Sequence, residues 1–216
     1  MWVCDKMNTY FFVAHWSKCT IRKSSCMFDA LKQTFDQIAP LSDADWAFGL
    51  PLFKYIEYKK GELILREGEV HQHSIFVIAG ALRIYNFNGN KESIRNIFLE
   101  NSMFNESGSY YLKKPSRFNI DAIEATKAFI MHRNDAEVLF SRSVQLATLG
   151  RRFAEYALAT VVERNNELTS MDGKARYLKL LKEKPHVFQR VPQYMIASYL
   201  GITPEALSRI RKEIAG

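Results

Sequence analysis

The sequence predicts an α+β chain in which a block of short strands lies between helices. Three observations predict it. Apolar residues recur at helical spacing before residue 40, at a period of two between about 50 and 133, and at helical spacing again from about 134. Turn residues cut the middle block into short runs roughly ten residues apart, as a β-sandwich or small barrel requires. The last quarter carries two short helical runs joined by a glycine. With 216 residues, 47% hydrophobic and 25% charged, the chain can bury a core and falls outside the disordered class. Six prolines and ten glycines exclude collagen-like and low-complexity architectures. The longest mainly apolar run of the first half, Tyr10–Trp16, is far short of the roughly 18 residues of a membrane helix. One lysine precedes it and no small-residue cleavage site follows, so no signal peptide is read and the cytoplasm is the expected compartment.

Residues 1–26 lack regular periodicity and read as an N-terminal extension, open to disorder or to lying ahead of the native start. They hold all three cysteines, Cys4, Cys19 and Cys26, with no CxxC spacing. That is neither a disulfide framework nor a zinc site, and an iron–sulfur cluster lacks its fourth thiolate. From Met27 the pattern is regular. Phe28, Leu31, Phe35 and Ile38 share one face of a helix, and Ser42 offers N-cap chemistry to a second short helix after Pro40. Strands are expected at Glu62–Arg66, Ser74–Ala79, Leu82–Phe87, Ser93–Leu99, Phe118–Ala122 and Lys127–Met131. Glu67-Gly68, Ala79-Gly80, Asn88-Gly89-Asn90 and Lys113–Ser116 separate them, and Asn88-Gly89 is a hairpin signal because both residues tolerate positive φ. A long helix is expected over Val144–Leu168. Ala147, Gly150, Ala154, Ala157, Val161 and Leu168 form a heptad-like seam on it, interrupted by Arg164. Small residues on a seam let two helices approach closely, so the helix is expected to form a homodimer, with Leu149, Phe153 and Tyr156 packing on the β-domain.

The net charge of +7 is unevenly spread. Residues 1–26 carry +3, residues 27–171 carry −1, and residues 172–216 carry +5. A near-neutral body with a basic C-terminal quarter points that quarter at an anion such as nucleic acid.

The most specific motif is VPQYMIASYLGITPEALSRIRK, Val191–Lys212. Pro192 suits the first turn of a helix whose Gln193, Ile196, Ala197 and Leu200 share one face. Gly201 ends it, where positive φ is cheap for glycine, and Ile202 pins the turn. Thr203 is a natural N-cap, Pro204 the first helical residue, and Glu205 sits at the positive end of the dipole. The second helix buries Leu207, Ile210 and Ile214 and exposes Glu205, Ser208, Arg209 and Lys212. A tight glycine turn between two such helices is the helix-turn-helix pattern, and double-stranded DNA is the expected partner. Arg209 can donate two hydrogen bonds to a guanine edge and Glu205 can accept from a cytosine amine. Gln193, Thr203, Ser208 and Lys212 suit phosphates.

On these residues, together with GELILREGEVHQHSIFVIAGALRIY (Gly61–Tyr85), the chain resembles the CRP/FNR family of bacterial transcription regulators from Met27 onward. The ending is most similar to versions found in the Bacteroidetes. The resemblance implies a double-stranded β-helix (jelly roll) sensor of the cyclic-nucleotide-binding type over 27–142, a dimerisation helix over 143–170, and a helix-turn-helix domain over 171–216. It also implies RNA polymerase as a partner. The family's β-hairpin wing after the recognition helix is not expected here.

In cyclic-AMP-binding members a Gly-Glu-Leu helix supplies a Glu for the ribose, and an Arg about ten residues later pairs with the cyclic phosphate. The matching stretch here is NESGSYYLKKPSRFNI (Asn105–Ile120). Glu106 stands at the Glu position, Ser116 at the Arg position, and Arg117 one residue late, which turns a strand side chain to the other face. Of the long-helix hydroxyls only Thr160 remains. The expectation is a degenerate pocket with Glu106, Ser116, Arg117 and Thr160 as ligand candidates. Cyclic AMP or another small molecule is the effector class that the resemblance admits, and no cofactor is demanded.

His71-x-His73 has the spacing of metal-dependent jelly-roll enzymes, but the glutamate expected four or five residues later is Val77 or Ile78. The pair reads as exposed turn histidines, and neither a metal site nor a catalytic residue is expected. The alternative to a DNA-binding regulator is a sensor of the same type whose helical tail meets a protein.

Overall fold

A computed structural model describes residues 21–215. Helices α1 (Ile21–Ile38) and α2 (Asp43–Gly49) lead into β1 (Lys54–Tyr58), β2 (Leu63–Leu65), β3 (His73–Ala79), β4 (Leu82–Asn88), β5 (Lys91–Phe98) and β6 (Met103–Phe104). Short helix α3 (Ser107–Leu112) precedes β7 (Asn119–Ala122) and β8 (Thr126–His132). Then follow α4 (Arg133–Ser141), α5 (Val144–Ser170), α6 (Gly173–Glu183), α7 (Val187–Arg190), α8 (Gln193–Tyr199) and α9 (Pro204–Ala215). The mixed α+β class is the one expected. Cys4 and Cys19, with most of the expected extension, lie outside the described residues, while α1 starts at Ile21, ahead of Met27. Ser42 caps α2 as expected, its Oγ accepting from the Asp45 N–H at 3.1 Å.

The strands form two antiparallel sheets, ordered β1-β8-β3-β6 and β2-β7-β4-β5. β1 and β6 were not expected. β6 has two residues, too few to show a period, and exists because Met103 and Phe104 pair with Phe76 and Ile75. The alternation of β3 divides its side chains between two cores. Ile75 and Val77 point inward with Leu65, Ile84, Ile120 and Ala128, between the sheets. Phe76 points outward with Phe129 and Met131, against Leu31 and Phe35 of α1, Leu139 of α4, and Leu146 and Leu149 of α5. Burial on both faces explains the continuous apolar reading of this strand.

The outer face of the second sheet is covered by the C-terminal helices. Ala81, Tyr85, Ile94, Ile97 and Ile123 pack with Tyr177 and Leu180 of α6 and Met195, Ile196 and Ala197 of α8. Ile94 and Ile97 are three apart and could not share a face of a regular strand. They do so because the register slips between Ile84, opposite Asn96, and Tyr85, opposite Ile94, leaving Arg95 as the extra residue of a bulge.

Gly80 turns the chain from β3 to β4 at φ +105°, and a Cβ there would lie 2.6 Å from the Thr126 Cα and 2.7 Å from the Ala125 carbonyl oxygen. Thr126 closes the corner, its Oγ1 accepting from the Ala81 N–H at 3.0 Å. The β4–β5 turn is Gly89-Asn90 between paired Asn88 and Lys91; Gly89 alone takes positive φ, at +61°.

Candidate functional site

In the C-terminal unit Ile196, Ala197, Leu200 and Leu207 are buried to within about 1%. Ala197 is fully buried in one cluster with Leu200 and Leu207, and the turn closes with Gly201 at φ +67° and an Ile202 N–H to Ala197 carbonyl bond of 3.0 Å. Thr203 caps α9, its Oγ1 accepting from the Ala206 N–H at 3.2 Å, and Pro204 is the first helical residue. Thr203, Pro204, Glu205, Ser208, Arg209 and Lys212 are all exposed. Arg209, Arg211 and Lys212 have no ion-pair partner among the described residues, whereas Glu213 is held by Lys174 at 2.7 Å. The outer face of α9 is therefore cationic and open. Two details differ from expectation. Gln193 is exposed at the first turn of α8 while Ile196, Ala197 and Leu200 are buried, and Ile214 is 39% exposed because α9 outruns the core beneath it. Pro192 stands just before α8 as its N-cap.

Side chains with no distinctive spacing join this unit to the rest. The Ser198 Oγ accepts from the Ile94 N–H at 2.9 Å and donates to the Glu92 carbonyl at 3.2 Å. Arg190 bridges Glu100, at 2.7 and 2.8 Å, and Glu124, which lies against the same guanidinium. Hydrogen bonds from Arg190 hold the Glu100 carboxyl below its ordinary pKa against the opposing effect of burial, the largest single influence. Arg164, the interruption of the α5 seam, turns to the C-terminal unit. It stacks on the Tyr199 ring at 4.0 Å, donates to the Tyr199 carbonyl and pairs with Glu167 at 2.9 Å. Sequence could have flagged Ser198 alone, as a hydroxyl between buried Ala197 and Leu200.

The four ligand candidates divide between two places. Glu106, 8% exposed, caps α3, its carboxylate accepting from Gly108 N–H at 3.1 Å and Ser109 N–H at 2.9 Å. Its own N–H donates to Nδ1 of His71, which is buried and not exposed as the sequence suggested. Ser116, 4% exposed, is tied to Gly68 and Glu69 by backbone bonds of 2.8 Å, and its hydroxyl pairs with Phe118. Arg117 points to solvent. Thr160 lies elsewhere, exposed on α5, donating to the Tyr156 carbonyl at 2.9 Å in a groove shared with α6 and Tyr199. The roll interior is apolar, with Phe98 stacked on Phe104 at 3.7 Å and Phe118 alongside. His73 faces His132 across the β3–β8 pair with ring centroids 5.4 Å apart, and among the described residues no three His, Cys, Asp or Glu side chains form a metal cluster.

Helix α5 is half covered. Leu146 and Leu149 are buried and Phe153 meets Phe35 edge to face at 5.3 Å. Beyond them Ala154, Ala157, Leu158, Val161 and Val162 are exposed, Leu158 at 65%. Three expectations change here. Gly150 belongs to the intrachain packing, since a Cβ on it would lie 2.9 Å from the Phe140 ring. Tyr156 is 70% exposed and does not pack on the roll. Leu168 reaches the Gly201 turn, 3.4 Å from where a Cβ would stand.

Residues 55–143 match the family model of the cyclic nucleotide-binding domain. Among solved structures, FixK2 from Bradyrhizobium japonicum is similar over 76% of this chain and 84% of its own, at 22% identity and a TM-score of 0.64. The chain has the fold of the CRP/FNR regulators. A protein from Eubacterium rectale, assigned as a transcriptional regulator of the CRP/FNR family, matches 81% of this chain and 84% of its own at 17% identity and TM-score 0.61. The catabolite activator protein of Thermus thermophilus matches 81% and 84% at 18% identity and TM-score 0.51. No curated protein matches the chain by sequence. Among the described residues no helix is long and apolar enough to cross a membrane.

Proposed function

We propose that this chain is a dimeric, DNA-binding transcription regulator of the CRP/FNR type. The observation that carries the reading is the open cationic face of α9 on a helix–glycine turn–helix unit whose inner residues are buried. On this reading Arg209 reads a guanine, Glu205 a cytosine, and Gln193, Thr203, Ser208 and Lys212 hold phosphates around Pro204. Dimerisation is supported by the exposed apolar side of α5, which water leaves without stabilisation until a second copy covers it. In a two-fold dimer the recognition helices would meet half-sites about 34 Å apart, one helical turn. The sensor spans 27–142, the dimer helix 143–170 and the DNA-binding domain 171–216.

The matched domain makes a cyclic-AMP-type effector the first to test. An apolar roll interior, Glu106 engaged as a helix cap and Ser116 at the arginine position support a pocket that has lost cyclic-phosphate recognition. The experiment is titration of labelled duplex with wild type and Arg209→Ala at several salt concentrations. Wild-type affinity falls steeply with salt. On a preferred site Arg209→Ala costs about 1–3 kcal/mol and relaxes selection at one base pair. Unchanged selectivity in that variant would remove Arg209 from base reading. Absence of salt-dependent binding by wild type would favour a protein partner for the tail.

A further inference from the structure

The tip of the β4–β5 hairpin belongs to the sensor, yet it stands beside the start of the recognition helix. Asn90 and Lys91 form one wall of a shallow groove whose other wall is Tyr194, Ile202 and Pro204. The juxtaposition is fixed from behind by the two Ser198 hydrogen bonds to β5 and by Ile94 packed among Met195, Ile196 and Ala197. The tip, Asn88-Gly89-Asn90-Lys91, is exposed, carries amide donors and one ammonium, and contains no carboxylate. The acid next in sequence, Glu92, is engaged by Arg83 at 2.7 Å. Lys91 itself has no ion-pair partner among the described residues. Its charge does reach α9. The Glu205 carboxyl is held below its ordinary pKa chiefly by its own backbone N–H and by Thr203, and Lys91 adds to this.

We propose that the β4–β5 tip is a second DNA-backbone contact, in which Lys91, with Asn90 beside it, binds a phosphate flanking the bases that α9 reads. The proposal rests on the DNA-binding reading above. Its partner is chosen by charge: a hairpin that shielded α9 from DNA would serve best with carboxylates facing Arg209, and this one presents a cation and donors instead. DNA would then bridge the sensor and the helix-turn-helix unit.

The test uses the full chain and random-sequence duplex, with affinity measured across a salt series for wild type, Lys91→Gln, Asn90→Ala and Lys60→Gln. Lys60 is an exposed lysine in the turn between β1 and β2 and controls for net charge. Neither Lys91→Gln nor Lys60→Gln removes a buried group, and equal melting temperatures verify folding. Loss of one phosphate contact per protomer makes the slope of log affinity against log salt shallower by about 0.9 per protomer and weakens binding alike on all sequences. Lys91→Gln is expected to show this, Asn90→Ala to weaken binding with little change of slope, and Lys60→Gln to behave as wild type. A Lys91→Gln slope equal to that of a wild type that binds, a slope loss shared equally by Lys60→Gln, or tighter binding by Lys91→Gln would overturn the proposal. A wild type that binds no duplex overturns the regulator reading itself, which is a different result from any of these.

Discussion

His71 makes the stability of the β-roll depend on pH in a window set by the structure. The residue is 3% exposed, and its Nδ1 accepts the Glu106 N–H at 3.0 Å. Accepting at Nδ1 places the ring proton on Nε2, which is buried without a partner. A second proton must break the Glu106 bond and leave a cation shut off from water, at the residue whose side chain caps α3. Burial first, and the His73 ring second, hold the pKa at about 4 against 6.5 for a free ring. Unfolding therefore takes up a proton between those values. The contribution is complete above pH 6.5 and is lost as pH falls toward 4. With about 1.4 kcal/mol per pKa unit, stability falls by about 2 kcal/mol between pH 7 and pH 5 from this ring alone. The assay is urea unfolding of wild type and His71→Leu at both pH values. The variant orphans the Glu106 N–H at either pH, a loss of about 1–3 kcal/mol that cancels from the comparison. Wild type should lose about 2 kcal/mol more than the variant on acidification. Equal losses, or a His71 ring titrating near 6.5 in the folded protein by NMR, would show that burial does not keep this ring neutral.

Other perturbations follow from the same geometry. Gly80→Ala places a methyl group against Thr126 and Ala125 at positive φ, and thermal melting should show a loss of about 3 kcal/mol or failure to fold; a loss under about 1 kcal/mol would mean that the corner relaxes. Leu158→Glu puts a charge on the exposed face of α5, and sedimentation should show a monomer where wild type is a dimer, with an unchanged melting temperature at low concentration. If wild type is a monomer at micromolar concentration, that face is not a dimer seam. Arg190→Ala leaves Glu100 and Glu124 facing one another without their cation, which should loosen the helix-turn-helix unit and speed proteolysis near residues 184–191. Unchanged cleavage would mean that the apolar contacts alone hold the two parts together.

The fold was legible where a single local rule decided the structure. The β-branched and aromatic runs of β3, β4 and β8, positive φ at Gly80 and Gly201, and the caps at Ser42 and Thr203 are short-range consequences of residue type, and each lies where the pattern puts it. What escaped the sequence depends on partners far along the chain. β6 is defined by its pairing with β3, and Ile97 faces the C-terminal helices only because Arg95 bulges out. Gly150 fits the spacing of a dimer seam, but the Phe140 ring claims its space. The exposed face of α9 was readable because amphipathic spacing and capping assign it. The roles of Arg164 and Arg190 were not, since an arginine at helical spacing looks the same facing water or a neighbouring domain. His71 escaped for a related reason: a histidine in a turn sequence is usually solvated, and only the fold of α3 over it makes it a buried acceptor.

Whether α9 reads sequence decides between a DNA-binding regulator and a domain whose helical tail meets a protein. Selection of bound duplexes from a random pool by the full chain at fixed salt, with and without cyclic AMP, tests this directly. A DNA-reading dimer enriches a two-fold symmetric site with half-sites about one helical turn apart, equally in both conditions. Enrichment only with cyclic AMP would show that the Ser116 pocket keeps its nucleotide, and no enrichment in either condition would show that α9 does not read DNA.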